Sequence, residues 1–345
     1  MSEYIIALDA MGGDNAPDAI VRGGVEALRH FPDVRILLAG PEARIRALLD
    51  EAGDVRDRAE ILPADDVITM DEAPMLAVRK KTNSSMVQAM LAVREKRAGA
   101  AVSAGSTGAV LACGMLRIGR IQGIERPALA VVIPGVKKPF LLLDAGANVD
   151  CQPRYLVQFG LMGSVYMAGV MGVEHPAVGL VNIGAEPEKG NKLSKETYQL
   201  MQAQTSYRFA GNVEARDIAM GDHDVLVADG FDGNIILKYT EGMASAMMTM
   251  LKTNLMASKV TKLGAALSRP AFRKFKRTLD YNAYGGAPLL GVDGAVIKAH
   301  GSSGETAIMN AVRQAREMLV GDVAGKIREG LAGLETDDPT SIPEK

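Results

Sequence analysis

Short apolar runs alternate with amphipathic stretches along this chain. The first run, Tyr4-Ile5-Ile6-Ala7-Leu8-Asp9, is β-prone and ends in a glycine-rich turn, Met11-Gly12-Gly13-Asp14-Asn15-Ala16-Pro17. Apolar positions then recur at helical spacing from Ala19 to Leu28. The same grammar returns at Val34–Ala39, a strand before a helix at Glu42–Ala52, and at Ala100–Ser103, a strand before a Gly/Ser/Thr turn and another helix. Phe140–Asp144 and Val178–Asn182 read as strands with a helix from Tyr155 to Val173 between them, and Asp224–Ala228 reads as a late strand. Uniformly apolar strands alternating with helices predict an α/β fold with a largely parallel or mixed, buried sheet flanked by helices. No Pro/Ser linker divides the chain. The expectation is one α/β unit over residues 1–334, with room for two lobes whose boundary is unmarked, and a polar tail at 335–345.

Polar glycine turns follow five of these strands: Asp9–Asp14, Ser103–Gly108, Asp144–Asn148, Asn182–Gly184 and Asp229–Asn234. Ligands of parallel α/β sheets bind beyond the carboxyl ends of strands, so the five turns are expected along one edge, around one site. Such turns expose backbone N–H groups, and Ser106 and Thr107 add hydroxyl donors, a chemistry suited to an anion. The helix from Tyr155 to Val173 carries no charge but holds four glycines, as a buried, closely packed helix would.

Composition narrows the classes. The 345 residues are 48% hydrophobic and 23% charged, enough for a large core. Trp is absent, aromatics make up 4% and the net charge is −2, which argues against a nucleic-acid platform. Two cysteines, Cys113 and Cys151, supply neither a disulfide framework nor a four-ligand zinc site, and suggest a reduced cytoplasmic setting. The first residues lack the basic region of a signal peptide. Dinucleotide, P-loop, nucleophile-elbow and zinc-protease motifs are all missing, so no metal or cofactor is expected. Among four histidines, His300 alone sits between an apolar run, Val292–Ile297, and a glycine turn before a helix, where it can bind or protonate a substrate.

One segment stands apart. Between Tyr239 and Leu279, Met243, Met247, Met250, Leu251 and Leu255 mark an apolar helical face. From Lys252 to Arg277 there are eight basic residues and no acidic one, including Lys259, Lys262, Arg269, Arg273, Lys274, Lys276 and Arg277. A helical hairpin over 239–280 is expected here. Its surface suits an anionic membrane, an acidic protein or a second copy of the chain.

Read together, the turns resemble the PlsX family of phosphate acyltransferases (acyl-ACP:phosphate transacylases). The resemblance runs through Asp9-Ala10-Met11-Gly12-Gly13-Asp14 with Ala16-Pro17, Lys81 with Ser84-Ser85, Ser103–Ala109, Glu125-Arg126-Pro127-Ala128, and Leu143–Asn148. It continues through Asn182–Glu186 with Lys189-Gly190-Asn191, Gly211–Glu214, Asp229–Asn234, Tyr284–Gly291 and His300-Gly301. Ser106 departs from the family's usual Asn, and both residues hydrogen-bond. The resemblance implies a fold similar to isocitrate and isopropylmalate dehydrogenases and to phosphate acetyltransferase. It implies a cytoplasmic homodimer, some members touching the membrane peripherally, that moves a long-chain acyl group from acyl carrier protein (ACP) to inorganic phosphate. The product would feed a membrane glycerol-3-phosphate acyltransferase. On this reading Ser103, Ser106, Thr107 and Lys189 would meet phosphate, with Lys81 a further anion contact. His300, Asn148, Asp232 and Asn234 would surround the reacting carbonyl. Gly12, Gly13, Asp14 and Asp229 would also bind the phosphate or acyl substrate. A CoA-dependent phosphate acetyltransferase and a metal-dependent decarboxylating dehydrogenase of similar fold are the competing activities.

Overall fold

The computed structural model describes residues 3–278 and 284–336, with only the backbone of 276–278 and 335–336. The part of the expected tail beyond residue 336 therefore lies outside the described residues. The chain opens with β1 (Tyr4–Asp9), α1 (Asp18–His30), β2 (Val34–Gly40), α2 (Glu42–Asp50), β3 (Ala59–Pro63), α3 (Pro74–Lys80) and α4 (Ser85–Arg94). Next come β4 (Ala100–Ser103), α5 (Thr107–Cys113), β5 (Ala128–Ile133), β6 (Phe140–Leu143), α6 (Pro153–Gly169), β7 (Ala177–Asn182), α7 (Lys192–Gln202), β8 (Arg208–Glu214) and β9 (Val225–Val227). The helices α8 (Gly230–Leu255), α9 (Lys259–Leu267) and α10 (Arg269–Thr278) follow, then β10 (Ala287–Leu290), β11 (Ala295–Lys298), α11 (Glu305–Val320) and α12 (Val323–Thr336).

The eleven strands form one sheet in the order β3-β2-β1-β4-β11-β10-β5-β6-β9-β7-β8. Strands β3, β2, β1, β4 and β11 are parallel to one another, and so are β6, β9, β7 and β8. Three antiparallel pairings, β11–β10, β10–β5 and β5–β6, join the two sets. Three reversals make the two parallel halves run in opposite directions, so the sheet is mixed.

Strand residues alternate between two cores, as the period of two requires. Ile6, Leu8, Ile36 and Leu38 face the layer built by α1, α11, α6 and α12, whereas Ala7, Leu37 and Ala101 face α3, α4 and α5. On the second half, Phe140, Leu142 and Leu226 meet Ile236 and Leu237 of α8. Glycine permits the closest helix contact. A Cβ on Gly23 of α1 would lie 2.6 Å from the Glu305 carbonyl oxygen and from Ile308 Cβ of α11. The uncharged segment near Tyr155 is a buried helix, α6, with Phe159 and Met162 fully enclosed.

The segment expected as a helical hairpin is three consecutive helices. After its first turns α8 leaves the body, with only Gly230 and Gly233 buried along its 26 residues, and α9 buries none of its residues. Ile235, Tyr239, Met243, Met247 and Met250 remain exposed along α8, and Val260, Leu263 and Leu267 along α9. No helix among the described residues is long and apolar enough to cross a membrane.

Candidate functional site

The opposed halves divide the five turns, and the His300 turn joins the first group. The Asp9, Ser103 and His300 turns leave the carboxyl ends of β1, β4 and β11 together. The Asp144, Asn182 and Asp229 turns leave β6, β7 and β9, which run the other way. The expectation of a single row along one edge is thereby corrected: parallel order holds within each half, and the antiparallel joint reverses it between them.

In the first group, Asp9 is buried at the end of β1. Its two carboxylate oxygens accept hydrogen bonds from the hydroxyls of Ser85, at 2.5 Å, and Ser103, at 2.6 Å. Burial raises its pKa, and the bonds from Ser103, Ser85 and the Met11 and Gly12 amides pull the other way. Ser103, expected to meet phosphate, is thus committed to Asp9. Gly12 leaves room for this carboxylate: a Cβ there would lie 2.5 Å from Asp9 Oδ2. The Asp14 N–H donates to the Gly301 carbonyl at 2.8 Å, and the Asn15 amide donates to the Ser302 carbonyl at 3.1 Å, tying the first turn to the histidine turn. Gly13 holds φ +93°, and a side chain there would run into the same Gly301 carbonyl at 2.7 Å.

His300 is exposed, and its Nδ1 lies 2.8 Å from Ser302 Oγ and 3.3 Å from the Ser302 N–H. The amide can only donate, so Nδ1 accepts and the ring proton sits on Nε2, free to donate outward. Beside it, Ser106 precedes α5 without spending its hydroxyl on a cap, and Thr107 is exposed. Lys81 is engaged elsewhere. Its ammonium donates to Glu72 Oε2 and the Val67 carbonyl, each at 2.7 Å, and so fastens the 67–72 loop; an anion would have to displace both contacts.

One residue that the sequence pattern did not single out lies here. Lys298 ends β11, buried, and its ammonium donates to the Ala299 carbonyl. Burial lowers its pKa to about 8; Asp9 and Asp14 resist the drop and Lys238 adds to it. A lysine closing an otherwise apolar strand was the available signal.

In the second group, Asp144 is fully buried at the end of β6. Its Oδ1 accepts from the N–H groups of Leu129, Gly146 and Ala147; its Oδ2 accepts from those of Ala147 and Asn148 and from the Asn148 side-chain amide. Burial raises this carboxyl as well, opposed by those donors. The Asn148 amide also donates to the Pro127 carbonyl at 2.8 Å, so its donors are used in the scaffold and its side-chain oxygen is what remains for a ligand. Asp229 caps α8 by accepting the Asp232 N–H at 2.8 Å. Burial and the neighbouring Asp229 charge raise the Asp232 carboxyl. The two glycines of this turn are steric necessities: a Cβ on Gly230 would lie 2.5 Å from the Asn148 carbonyl oxygen, and one on Gly233 1.8 Å from that of Asp144.

Lys189 is exposed and forms no ion pair among the described residues. Its carbonyl accepts from the Asn182 amide at 3.1 Å, which fixes the loop after β7. Asn191 then caps α7 with a reciprocal box to Ser194.

Helix α8 connects the groups. Asn234 lies against Gly146, whose added Cβ would sit 3.3 Å from it. One turn on, Lys238 is close enough to Lys298 to depress its pKa. Positions four apart share a helix face, so the face carrying Asn234 and Lys238 turns toward the first group. The eight steps from Gly230 to Lys238 rise about 12 Å at 1.5 Å per residue, which sets the scale of the gap. Of the predicted residues, His300, Ser106 and Thr107 therefore share one wall, and Asn234 and Asp232 come with α8. Lys189 stands farther along the second half, two strands from β6. Cys113 and Cys151 take no part: burial pushes both thiols up to about 12.

Comparison with known proteins bears on this arrangement. Residues 4–326 match the family described as "Fatty acid synthesis protein". A phosphate acyltransferase of Clostridium perfringens is 47% identical over 337 residues, covering 98% of this chain and 99% of that one. A phosphate acyltransferase of Clostridium acetobutylicum is 48% identical over 330 residues, covering 96% and 99%. Among solved structures, a phosphotransacetylase from Streptococcus pyogenes is similar with a TM-score of 0.61 at 14% identity, covering 92% of this chain and 94% of that one. A 4-hydroxythreonine-4-phosphate dehydrogenase from Klebsiella pneumoniae gives 0.51 at 12% identity, covering 93% and 98%. These two likenesses concern the fold alone, an α/β fold shared with a phosphotransacetylase and a dehydrogenase. The sequence match spans both turn groups and the helix between them, and by it the chain belongs to the PlsX family of phosphate acyltransferases.

Proposed function

We propose that the chain transfers a long-chain acyl group reversibly between ACP and inorganic phosphate, giving an acyl phosphate for phospholipid synthesis. The observation that carries the reading is His300: its Nδ1 is held by Ser302, the ring is exposed, and Ser106 and Thr107 lie on the neighbouring turn. In the proposed reaction a phosphate oxygen attacks the thioester carbon, the C–S bond breaks as the C–O bond forms, and the phosphate proton ends on the ACP thiol. Charge develops on the carbonyl oxygen, where the His300 Nε2–H and the Asn234 amide donate. Phosphate rests on the Ser106 and Thr107 hydroxyls near the Lys298 charge, and Lys189 supplies a cation from the other half. A thiol leaving group with pKa near 8.5 needs no strong acid, so positioning supplies much of the rate.

The carrier is tested by offering purified protein palmitoyl-ACP or acetyl-CoA with phosphate and trapping acyl phosphate with hydroxylamine. Palmitoyl-ACP is expected to give phosphate-dependent hydroxamate at least a hundredfold faster than acetyl-CoA. Faster turnover of acetyl-CoA would reassign the chain to short-chain phosphate acetyl transfer.

The same reading gives the projecting helices partners. The apolar stripe of α8 suits a second copy of the chain. The basic residues Lys259, Lys262, Arg269, Arg273 and Lys274 suit acidic ACP or an anionic membrane surface; the side chains of Lys276 and Arg277 lie outside the described residues. Charge reversal at Arg273, Lys274, Lys276 and Arg277 is expected to lower flotation with anionic liposomes at least fivefold, and undiminished flotation sinks the membrane contact.

A further inference from the structure

A cavity lies away from both turn groups. Open to solvent, it holds about 660 Å³ between the carboxyl half of α6, the loop before β7, the start of β8 and α12. Strand β7 begins at this cavity and ends at the Asn182 turn, so about 17 Å of strand separates the two. The volume falls in the range of small-molecule sites.

Its walls combine two chemistries. Leu161, Val165 and Pro176 give an apolar lining. Arg208, Lys326 and His175 bring basic groups, against a single acidic residue, Glu174. Neither Arg208 nor Lys326 forms an ion pair among the described residues. Two further lining groups lack partners. Tyr207 is 7% exposed, and its hydroxyl makes no hydrogen bond; the Ser206 hydroxyl makes none either. The Tyr207 hydroxyl lies against Gly160 of α6, where an added Cβ would come within 2.9 Å of it.

We propose that this cavity is a second binding site, for an amphipathic anion with an apolar body and one carboxylate or phosphate head. The apolar lining takes the body. Arg208 and Lys326 take the head. The inference stands apart from the acyl-transfer reading, since none of these residues belongs to either turn group.

Calorimetric titration of the full chain with decanoate, decyl phosphate and decyltrimethylammonium tests it. One equivalent of decanoate or decyl phosphate is expected to bind saturably, and the ratio of the two affinities identifies the preferred head. The cationic amphiphile is expected to bind at least tenfold more weakly. Ala168→Trp, at an exposed position of the wall, should fill the cavity and abolish that binding. Arg208→Ala with Lys326→Ala, both at the surface, should weaken it at least tenfold and provides a second reading if the Trp variant does not fold. His300→Ala should bind decanoate as the wild type does, which separates this site from the turn groups. Equal affinity for the cationic amphiphile, full binding by both cavity variants, loss of binding in His300→Ala, or no saturable anion binding would each overturn the proposal.

Discussion

Asp9 and Asp144 occupy matching places on opposite halves of the sheet. Each is a buried carboxylate at the end of a strand, and burial raises each above its usual range. Their partners differ in kind. Asp9 is held chiefly by two serine hydroxyls from residues 76 and 94 positions away. Asp144 is held by fixed N–H donors, most of them within four residues of it. Hydroxyls rotate and can accept as well as donate, whereas backbone N–H groups can only donate. The first half therefore holds its turn by long-range side chains that can readjust, and the second by a self-contained backbone cradle that cannot.

The largest effect expected from breaking this contrast comes at Gly233. A methyl there would collide with the Asp144 carbonyl oxygen, so Gly233→Ala must push α8 off the cradle. A loss of about 3 kcal/mol or more in urea unfolding, with activity abolished, is expected by analogy with overpacked cores. A fully active, equally stable variant would show that α8 need not sit there.

Matched amides come next. Asp144→Asn turns an NH2 group toward N–H donors and should cost about 3 kcal/mol, whereas Asp9→Asn lets the serines reorient and should cost about 1 kcal/mol. Equal losses would erase the distinction between the halves. The pH dependence sharpens it. A carboxyl raised above 3.8 binds its proton more tightly in the folded chain than in the unfolded one. Its contribution to stability therefore falls as pH rises from about 4 through the folded value and is level above. Asp9→Asn should flatten that share in urea melts carried upward from pH 4.

Lys298 gives the opposite slope. Its pKa is about 8 when folded and 10.5 in the ordinary state, so the unfolded chain holds more protons between those values. Stability from this group should rise with pH from 8 to 10.5, and Lys298→Met should remove the rise. An unchanged slope would place the lysine in water. The smallest effect belongs to Lys81→Ala, which frees the 67–72 loop through a partly exposed ion pair. Faster proteolysis of that loop with an unchanged Tm is expected, and a large drop in Tm would give the pair a greater structural part.

Local chemistry was legible in the sequence. The Asp144 cradle and the Asp229 cap are built within a few residues, and reading polar glycine turns after apolar strands located both. Apolar runs marked β1, β2, β4, β6, β7 and β9, because a doubly buried strand needs no alternation. What escaped depends on distant pairing. Strand β3 has an exposed position at Glu60, and β8 exposes Arg208 and Ala210, so neither reads as a buried run. The commitment of Ser103 to Asp9 and of Lys81 to Glu72 is set by tertiary neighbours. The reversal between the half-sheets arises from β10, which reaches β5 from more than 150 residues away, and no local pattern records that antiparallel pairing. Lys298 was hidden for the same reason: its burial comes from the elements stacked around β11.

In the proposed reaction phosphate itself accepts the acyl group. The direct test is to titrate phosphate from zero with palmitoyl-ACP in one sample, counting free ACP thiol and acyl phosphate together. No thiol release is expected without phosphate, and thiol and acyl phosphate should appear one for one as phosphate rises. Thiol released in the absence of phosphate, or released with no acyl phosphate formed, would contradict it.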